Sequence, residues 1–119
     1  MHDPVNHPAH YTYGKREVID LTRQLDFDLG NAAKYILRAR HKNGVEDVQK
    51  ALWYVHDAVK HGSVVPPSLR ELAAEYDSPE LNVLVEAFCG GTPSPEAFQR
   101  VVDALQLMAL DIKFNGKAA

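Results

Sequence analysis

A single cysteine, Cys89, in a chain of 119 residues excludes an intramolecular disulfide framework and fits a reducing compartment. No apolar run approaches the ~18–20 residues that a membrane-spanning helix needs, and no signal-peptide pattern opens the chain. Net positive charge is missing too. Lysine and arginine number 13 against 16 aspartates and glutamates, a formal charge of −3, with a pI near 6.0. Sequence-independent nucleic-acid binding needs a net basic surface, so nucleic acid is not the expected partner. A soluble, cytoplasmic protein with no membrane partner is the expectation.

What is present is a real core. Hydrophobic residues make up 45% of the chain, enough for one domain or for one compact unit with an added helical lobe. Surface-to-volume scaling leaves so short a chain with modest stability alone, which forming a homo-oligomer would help.

The pattern along the chain is helical. Asp3-Pro4 and His7-Pro8 make residues 1–13 turn-like. Val18, Thr22 and Leu25 then mark a helix from near Gly14 to about residue 26, with Ile19 and Leu21 flanking the stripe. Gly30-Asn31 reads as a break, with Asn31 as N-cap of a second helix to about His41. Asn43-Gly44 ends that helix as a left-handed cap would. Val45, Val48, Leu52, Val55 and Val59 define the third and clearest helix, closing at His61-Gly62.

Pro66-Pro67 marks a linker, followed by short helices near 68–76 and 79–88. A glycine- and proline-rich loop at 89–95 leads into a long last helix from about Pro95 to Phe114. No strand alternation and no internal repeat is evident. The expected fold is all-α. About three helices form a compact domain over residues 1–62, and residues 63–119 add a helical C-terminal extension.

The chemistry concentrates in the first half. Lys34, Arg38 and His41 or Lys42 recur every three or four residues, which puts them on one side of a helix. Arg40 lies further round. Such a stripe is either a solvated face or an anion site, and the Gly30-Asn31 backbone N–H groups would favour an anion. Arg38 would then offer a bidentate fork and Lys34 a point charge. Spacing alone leaves both readings open.

Glu17 and Asp20 share a helix face, and Glu46 and Asp47 open the third helix. Glu46 and Asp47 suit a helix N-terminus without any ligand, and Glu46 to Lys50 is an ordinary i,i+4 pair. In the functional reading some of the four carboxylates hold Mg²⁺ on nucleotide phosphates, which takes one or two protein carboxylates.

His7 and His10 flank a proline-fixed turn. They lack further ligands for a zinc site, and suit either a structural cap or donation to phosphate oxygens and proton transfer. His56 and His61 read as surface residues. Trp53 and Tyr54 read as part core and part pocket wall.

Gly14-Lys15 is not a Walker phosphate loop, because Ala9 holds the first glycine position and Arg16 replaces the hydroxyl residue. No Gly-x-Ser-x-Gly elbow or Gly-x-Gly-x-x-Gly loop occurs.

Taken in order, the motifs are Asn6-His7-Pro8-x-His10-Tyr11, Gly14, Glu17, Ile19-Asp20 and Gly30-Asn31-x-x-Lys34-Tyr35-x-x-Arg38. Lys42-x-Gly44-x-Glu46-Asp47-x-x-Lys50-Ala51-x-Trp53-Tyr54 completes them. Over about residues 4–60 this order closely resembles a family of small bacteriophage proteins. Formerly of unknown function, that family is described as nucleotide kinases after a coliphage member that phosphorylates deoxynucleoside monophosphates.

The resemblance implies an all-α, oligomeric, nucleotide-binding protein of phage or prophage origin, acting in the host cytoplasm. Its matching positions place a site at His7, His10, Tyr11, Glu17, Asp20, Asn31, Lys34, Arg38, Lys42, Glu46, Asp47 and Lys50. Asn6, Tyr35, Trp53 and Tyr54 join them as ligand-binding candidates. Within that site Lys34, Arg38 and Lys42 would neutralise phosphates. Glu17, Asp20, Glu46 or Asp47 would hold Mg²⁺ if one is used. His7 or His10 would hydrogen-bond the transferred group or the base. Catalysis would fall to His7, His10, Asp20, Lys34 and Arg38.

Three functions compete. The first is a kinase moving phosphoryl from a nucleoside triphosphate to a (deoxy)nucleoside monophosphate. The second is a sponge that sequesters a cyclic or signalling nucleotide of the host. A DNA-binding regulator is a distant third, disfavoured by charge.

Overall fold

The computed structural model describes residues 12–13 and 16–116. Among these residues the fold is all-α, with a single two-stranded hairpin at its start. Strand β1 (Thr12–Tyr13) pairs antiparallel with β2 (Arg16–Glu17), Thr12 opposite Glu17 and Tyr13 opposite Arg16. Six helices follow: α1 (Val18–Thr22), α2 (Phe27–Arg38), α3 (Val45–Lys60), α4 (Leu69–Ala74), α5 (Pro79–Phe88) and α6 (Pro95–Asn115).

The first helix is shorter than its sequence stripe. It starts at Val18, not near Gly14, because Glu17 stays extended and forms a reciprocal capping box with Asp20. The Glu17 N–H donates to Asp20 Oδ2 across 2.9 Å. Ile19, at one edge of the stripe, is left half exposed, while Leu21 is fully buried.

The second helix corrects the Gly30-Asn31 break. It begins at Phe27, where the Asp26 side chain accepts the Leu29 N–H at 2.9 Å as N-cap. Gly30 lies inside the helix, its N–H bonded to Asp26 O at 2.8 Å. It is glycine for packing reasons: a Cβ there would stand 3.3 Å from the Thr22 carbonyl oxygen. The helix also stops at Arg38, earlier than the expected His41. Turns carry the chain to Gly44, whose φ of +60° suits glycine and whose N–H bonds Ala39 O at 2.8 Å.

The later helices match their sequence signals closely. Helix α3 ends at Lys60 with His61 as its cap. Ser78 and Ser94 cap α5 and α6, accepting the N–H groups of Leu81 and Ala97, and proline follows each cap.

Helices α2 and α3 form an antiparallel hairpin, the most extensive helix pairing in the fold. Ala32, Ala33, Ile36, Val48, Ala51, Val55 and Ala58 fill its buried seam, and the small residues let the two axes approach closely. Helix α5 covers α2, α6 covers α3, and α4 reaches α1. One hydrophobic cluster runs from Val18 to Ile112, so the segments on either side of Gly62 share a core.

Polar ties reinforce the joint. Fully buried Tyr76 donates its hydroxyl to Glu17 O at 2.6 Å, and burial pushes its phenol up to about 12. Arg40 bridges Glu80 and Asp111. Val65 pairs with Cys89 through backbone bonds, closing the connection between α3 and α4 onto the end of α5. Among the described residues, no helix is long and apolar enough to cross a membrane.

Candidate functional site

The α2–α3 hairpin brings sequence-distant aromatics and cations onto one face. Lys34 and Tyr35 lie one helical turn before Arg38 on α2, and Lys50 lies one turn before Trp53 and Tyr54 on α3. Tyr35 stacks on Tyr54, with centroids 6.0 Å apart and planes inclined by 15°. Tyr54 also meets Phe27 edge-on at 5.9 Å and Trp53 edge-on at 5.1 Å. Four aromatic rings therefore form one continuous cluster. Its outer members are open to solvent, Phe27 by 74% and Trp53 by 62%.

Three cations converge on Tyr35. Lys34 Nζ stands 4.6 Å from the ring centroid, the Arg38 guanidinium carbon 5.3 Å and Lys50 Nζ 5.4 Å. Each gains cation–π attraction there, while Arg38 is also paired with Asp47 and Lys50 with Glu46, which offsets part of the charge the three present to an anion. Tyr35, Lys50, Trp53 and Tyr54 line a cleft of about 320 Å³. A second hollow of about 220 Å³ contains Phe27, Gly30, Asn31 and Lys34 along its wall. Lys34 lines this second hollow and also stands over the Tyr35 ring.

The remaining sequence candidates are distributed differently. Asn31 does not cap a helix; its side-chain amide donates to Phe27 O at 2.8 Å within α2. The anion site expected at the Gly30-Asn31 N–H groups is therefore absent, since those groups lie inside the helix. Lys42 lies exposed in the turn after α2, so it does not continue the Lys34–Arg38 stripe. Asn6, His7, His10 and Tyr11 lie outside the described residues.

The four expected Mg²⁺ ligands are not gathered into one group. Glu17 and Asp20 cap α1. Glu46 is exposed and pairs with Lys50 at 3.6 Å. Asp47 is fully buried, its Oδ2 accepting from Arg38 Nε at 3.1 Å and from the Asn43 N–H at 3.2 Å. It holds the end of α2 to the start of α3.

A different acidic group does assemble, at the opposite end of the hairpin. Asp28 in the first turn of α2 meets Asp57 and His61 from the end of α3, with one ligand atom of each within 4.8 Å of the others. His61 Nδ1 is 3.2 Å from Asp57 Oδ2 and 3.6 Å from Asp28 Oδ2, and 2.9 Å from Asp57 O. Burial, then the neighbouring Asp57, raises the Asp28 carboxyl above its ordinary range. The backbone bond to Asp57, then the Asp57 charge, raises His61.

His61 is exposed, as expected from the sequence, but its partners Asp28 and Asp57 were not among the sequence candidates. The i,i+4 spacing of Asp57 and His61 was the available signal, but Asp28 joins them only through the helix pairing. Phe27 was also passed over, and no spacing marks it.

Residues 5–56 match a family described as a protein of unknown function, DUF3310. The matched segment, under half of the chain, contains the whole aromatic–cationic face and Asp28, but ends one residue short of Asp57. No curated protein and no solved structure matches the chain.

Proposed function

We propose that the α2–α3 face binds a nucleotide, and that the chain transfers phosphoryl from a nucleoside triphosphate to a (deoxy)nucleoside monophosphate without a Walker motif. The observation that carries the binding reading is the convergence of Lys34, Arg38 and Lys50 on Tyr35, beside the exposed Trp53. Nucleotides have two recognisable parts. Their bases stack on aromatic faces, and their phosphates attract ammonium and guanidinium groups. The cleft offers both within one helical hairpin.

The transfer reading rests on the ordered motifs from Asn6 to Tyr54 that resemble the phage kinases. Lys34, Arg38 and Lys50 stabilise charge on the phosphoryl oxygens, and His7 or His10 hydrogen-bonds the transferred group. Mg²⁺ accompanies the triphosphate if the reaction uses one.

One observation favours the alternative, a sponge that captures a cyclic or signalling nucleotide unchanged. Glu17, Asp20 and Asp47 are committed to a helix cap and an ion pair, which leaves Glu46, paired with Lys50, as the expected Mg²⁺ ligand beside the cations and rings of the face.

The test is a thermal-shift panel of nucleoside mono-, di- and triphosphates and cyclic nucleotides, with and without Mg²⁺. Each stabilising ligand is then incubated with the protein and resolved chromatographically. Diphosphates formed from a mono- and triphosphate pair support the kinase. A tightly bound nucleotide recovered intact supports the sponge. If no nucleotide shifts the melting temperature, both fail.

A further inference from the structure

We propose that Asp28, Asp57 and His61 form a binding site for a divalent first-row metal ion, Zn²⁺ being the probe of choice. This site is separate from the four carboxylates expected to serve Mg²⁺, and goes beyond the nucleotide reading.

The argument begins with what each carboxylate lacks. Asp28 is nine-tenths buried, yet among the described residues it accepts no hydrogen bond from a backbone N–H, lysine or arginine. Its neighbours are the Asp57 carboxylate and the His61 imidazole. The contrast with Asp47 is direct, since that buried carboxylate has Arg38 and a backbone N–H.

Asp57 is placed still less favourably. It sits in the last turn of α3, where the helix dipole presents its negative end, and beside a second carboxylate. Only the N-terminus of α2 offers Asp28 partial compensation. Two carboxylates so arranged repel unless a proton or a cation stands between them, and Asp28 bonds to Asp57 by sharing a proton where no ion is bound. His61 is the single cationic partner among the described residues, and its side chain is 67% exposed.

The donor set suits a borderline metal. Two carboxylate oxygens and one imidazole nitrogen are hard and intermediate ligands, the mixture that Zn²⁺ and its neighbours accept. Ligands about 2.0–2.2 Å from an ion lie roughly 3–4 Å from each other, and these three atoms already lie within 4.8 Å. Closing the gap takes side-chain rotation only. His61, exposed at a helix cap, has that freedom. Coordination positions away from the protein remain for water. Binding displaces the proton from His61 or Asp28.

The experiment titrates tag-free full-length protein with Zn²⁺ by calorimetry, in the absence of nucleotide, alongside D28N, D57N and H61A. One equivalent should bind wild type. Each variant should bind more weakly by over the roughly tenfold that loss of an outer-shell partner costs. Melting temperature should rise with Zn²⁺ in wild type and respond little in the variants. Equal affinity in all four proteins puts the ion elsewhere and overturns the proposal; so does a wild type that binds none. H61A changes an exposed side chain, so the test stands even if an aspartate variant fails to fold. Nucleotide plays no part in it, so failure here leaves the nucleotide reading intact.

Discussion

Arg38 Nε donates to Asp47 Oδ2 across 3.1 Å, with the aspartate wholly buried and the arginine nearly so. The pair joins the end of α2 to the first turn of α3 and so fixes the register of the hairpin that carries the aromatic–cationic face. Among the described residues Asp47 Oδ1 meets no donor, so the carboxylate depends on the partners of Oδ2. Removing one member of a buried pair strands the other's charge, at a cost of about 3–5 kcal/mol. R38A should therefore lower unfolding stability by about that much in urea denaturation. D47N strands Arg38 instead, but that guanidinium is less completely buried than Asp47 and so nearer to water, and the variant should cost less. Equal stability of R38A and wild type would show that water reaches Asp47.

The cleft chemistry predicts separable losses. K34A and K50A remove charge from partly exposed positions, so helix content should stay while nucleotide affinity falls by about 1.5–3 kcal/mol each, the worth of a charged hydrogen bond. W53A should lose about 1–3 kcal/mol if a base stacks there. Trp53 is the only tryptophan in the chain, so its fluorescence reports occupancy directly. An emission spectrum unmoved by a nucleotide that does bind would place the base elsewhere.

Stability should fall as pH rises through the neutral range. Asp28 and His61 both have folded-state values raised above their ordinary 3.8 and 6.5. For each, the stabilising contribution is complete below the unfolded value and is lost as pH climbs through the folded one. Burial and then Asp57 hold the proton on Asp28, with Asp26 adding to them, while Asp57 and then Asp28 hold it on His61. The His61 part is lost over a window that opens at its ordinary 6.5 and extends upward, so the urea midpoint should drop across it in metal-free wild type. H61A and D57N should flatten the profile. A wild-type midpoint that rises across this window contradicts the assignment.

Gly30 gives a steric prediction. Alanine in a helix interior gains about 1 kcal/mol of helix propensity over glycine, but here its Cβ meets Thr22 O at 3.3 Å. The two effects oppose, so G30A should leave the melting temperature nearly unchanged. Valine adds bulk against the same backbone oxygen, and G30V should lose about 1–3 kcal/mol. A full propensity gain in G30A would mean that α1 yields easily.

Much of the site was legible from spacing because helices translate sequence into faces. Lys34, Tyr35 and Arg38 had to share one side of α2 once that segment was helical, and Lys50, Trp53 and Tyr54 one side of α3. The boundaries of α2 were less legible. Gly30 and Asn31 carry the composition of a break, and only the close approach of α1 explains a glycine there. Asp47 shows the same limit. An acidic residue in a first turn is explained locally by the helix dipole, and nothing in that pattern announces that it will be buried against Arg38.

By itself, the sequence determined helix periods, caps and turn points, because these depend on neighbours within about four residues. Ser78 and Ser94 before proline, and the valine ladder of α3, needed no distant contact to be read. Tertiary structure decided which faces meet. Antiparallel pairing of α2 and α3 set Tyr35 on Tyr54 at one place, and at the hairpin's open end brought Asp28 against Asp57 and His61, some thirty residues away. Such meetings follow from how two apolar seams pack against each other, and packing compares surfaces that are remote along the chain.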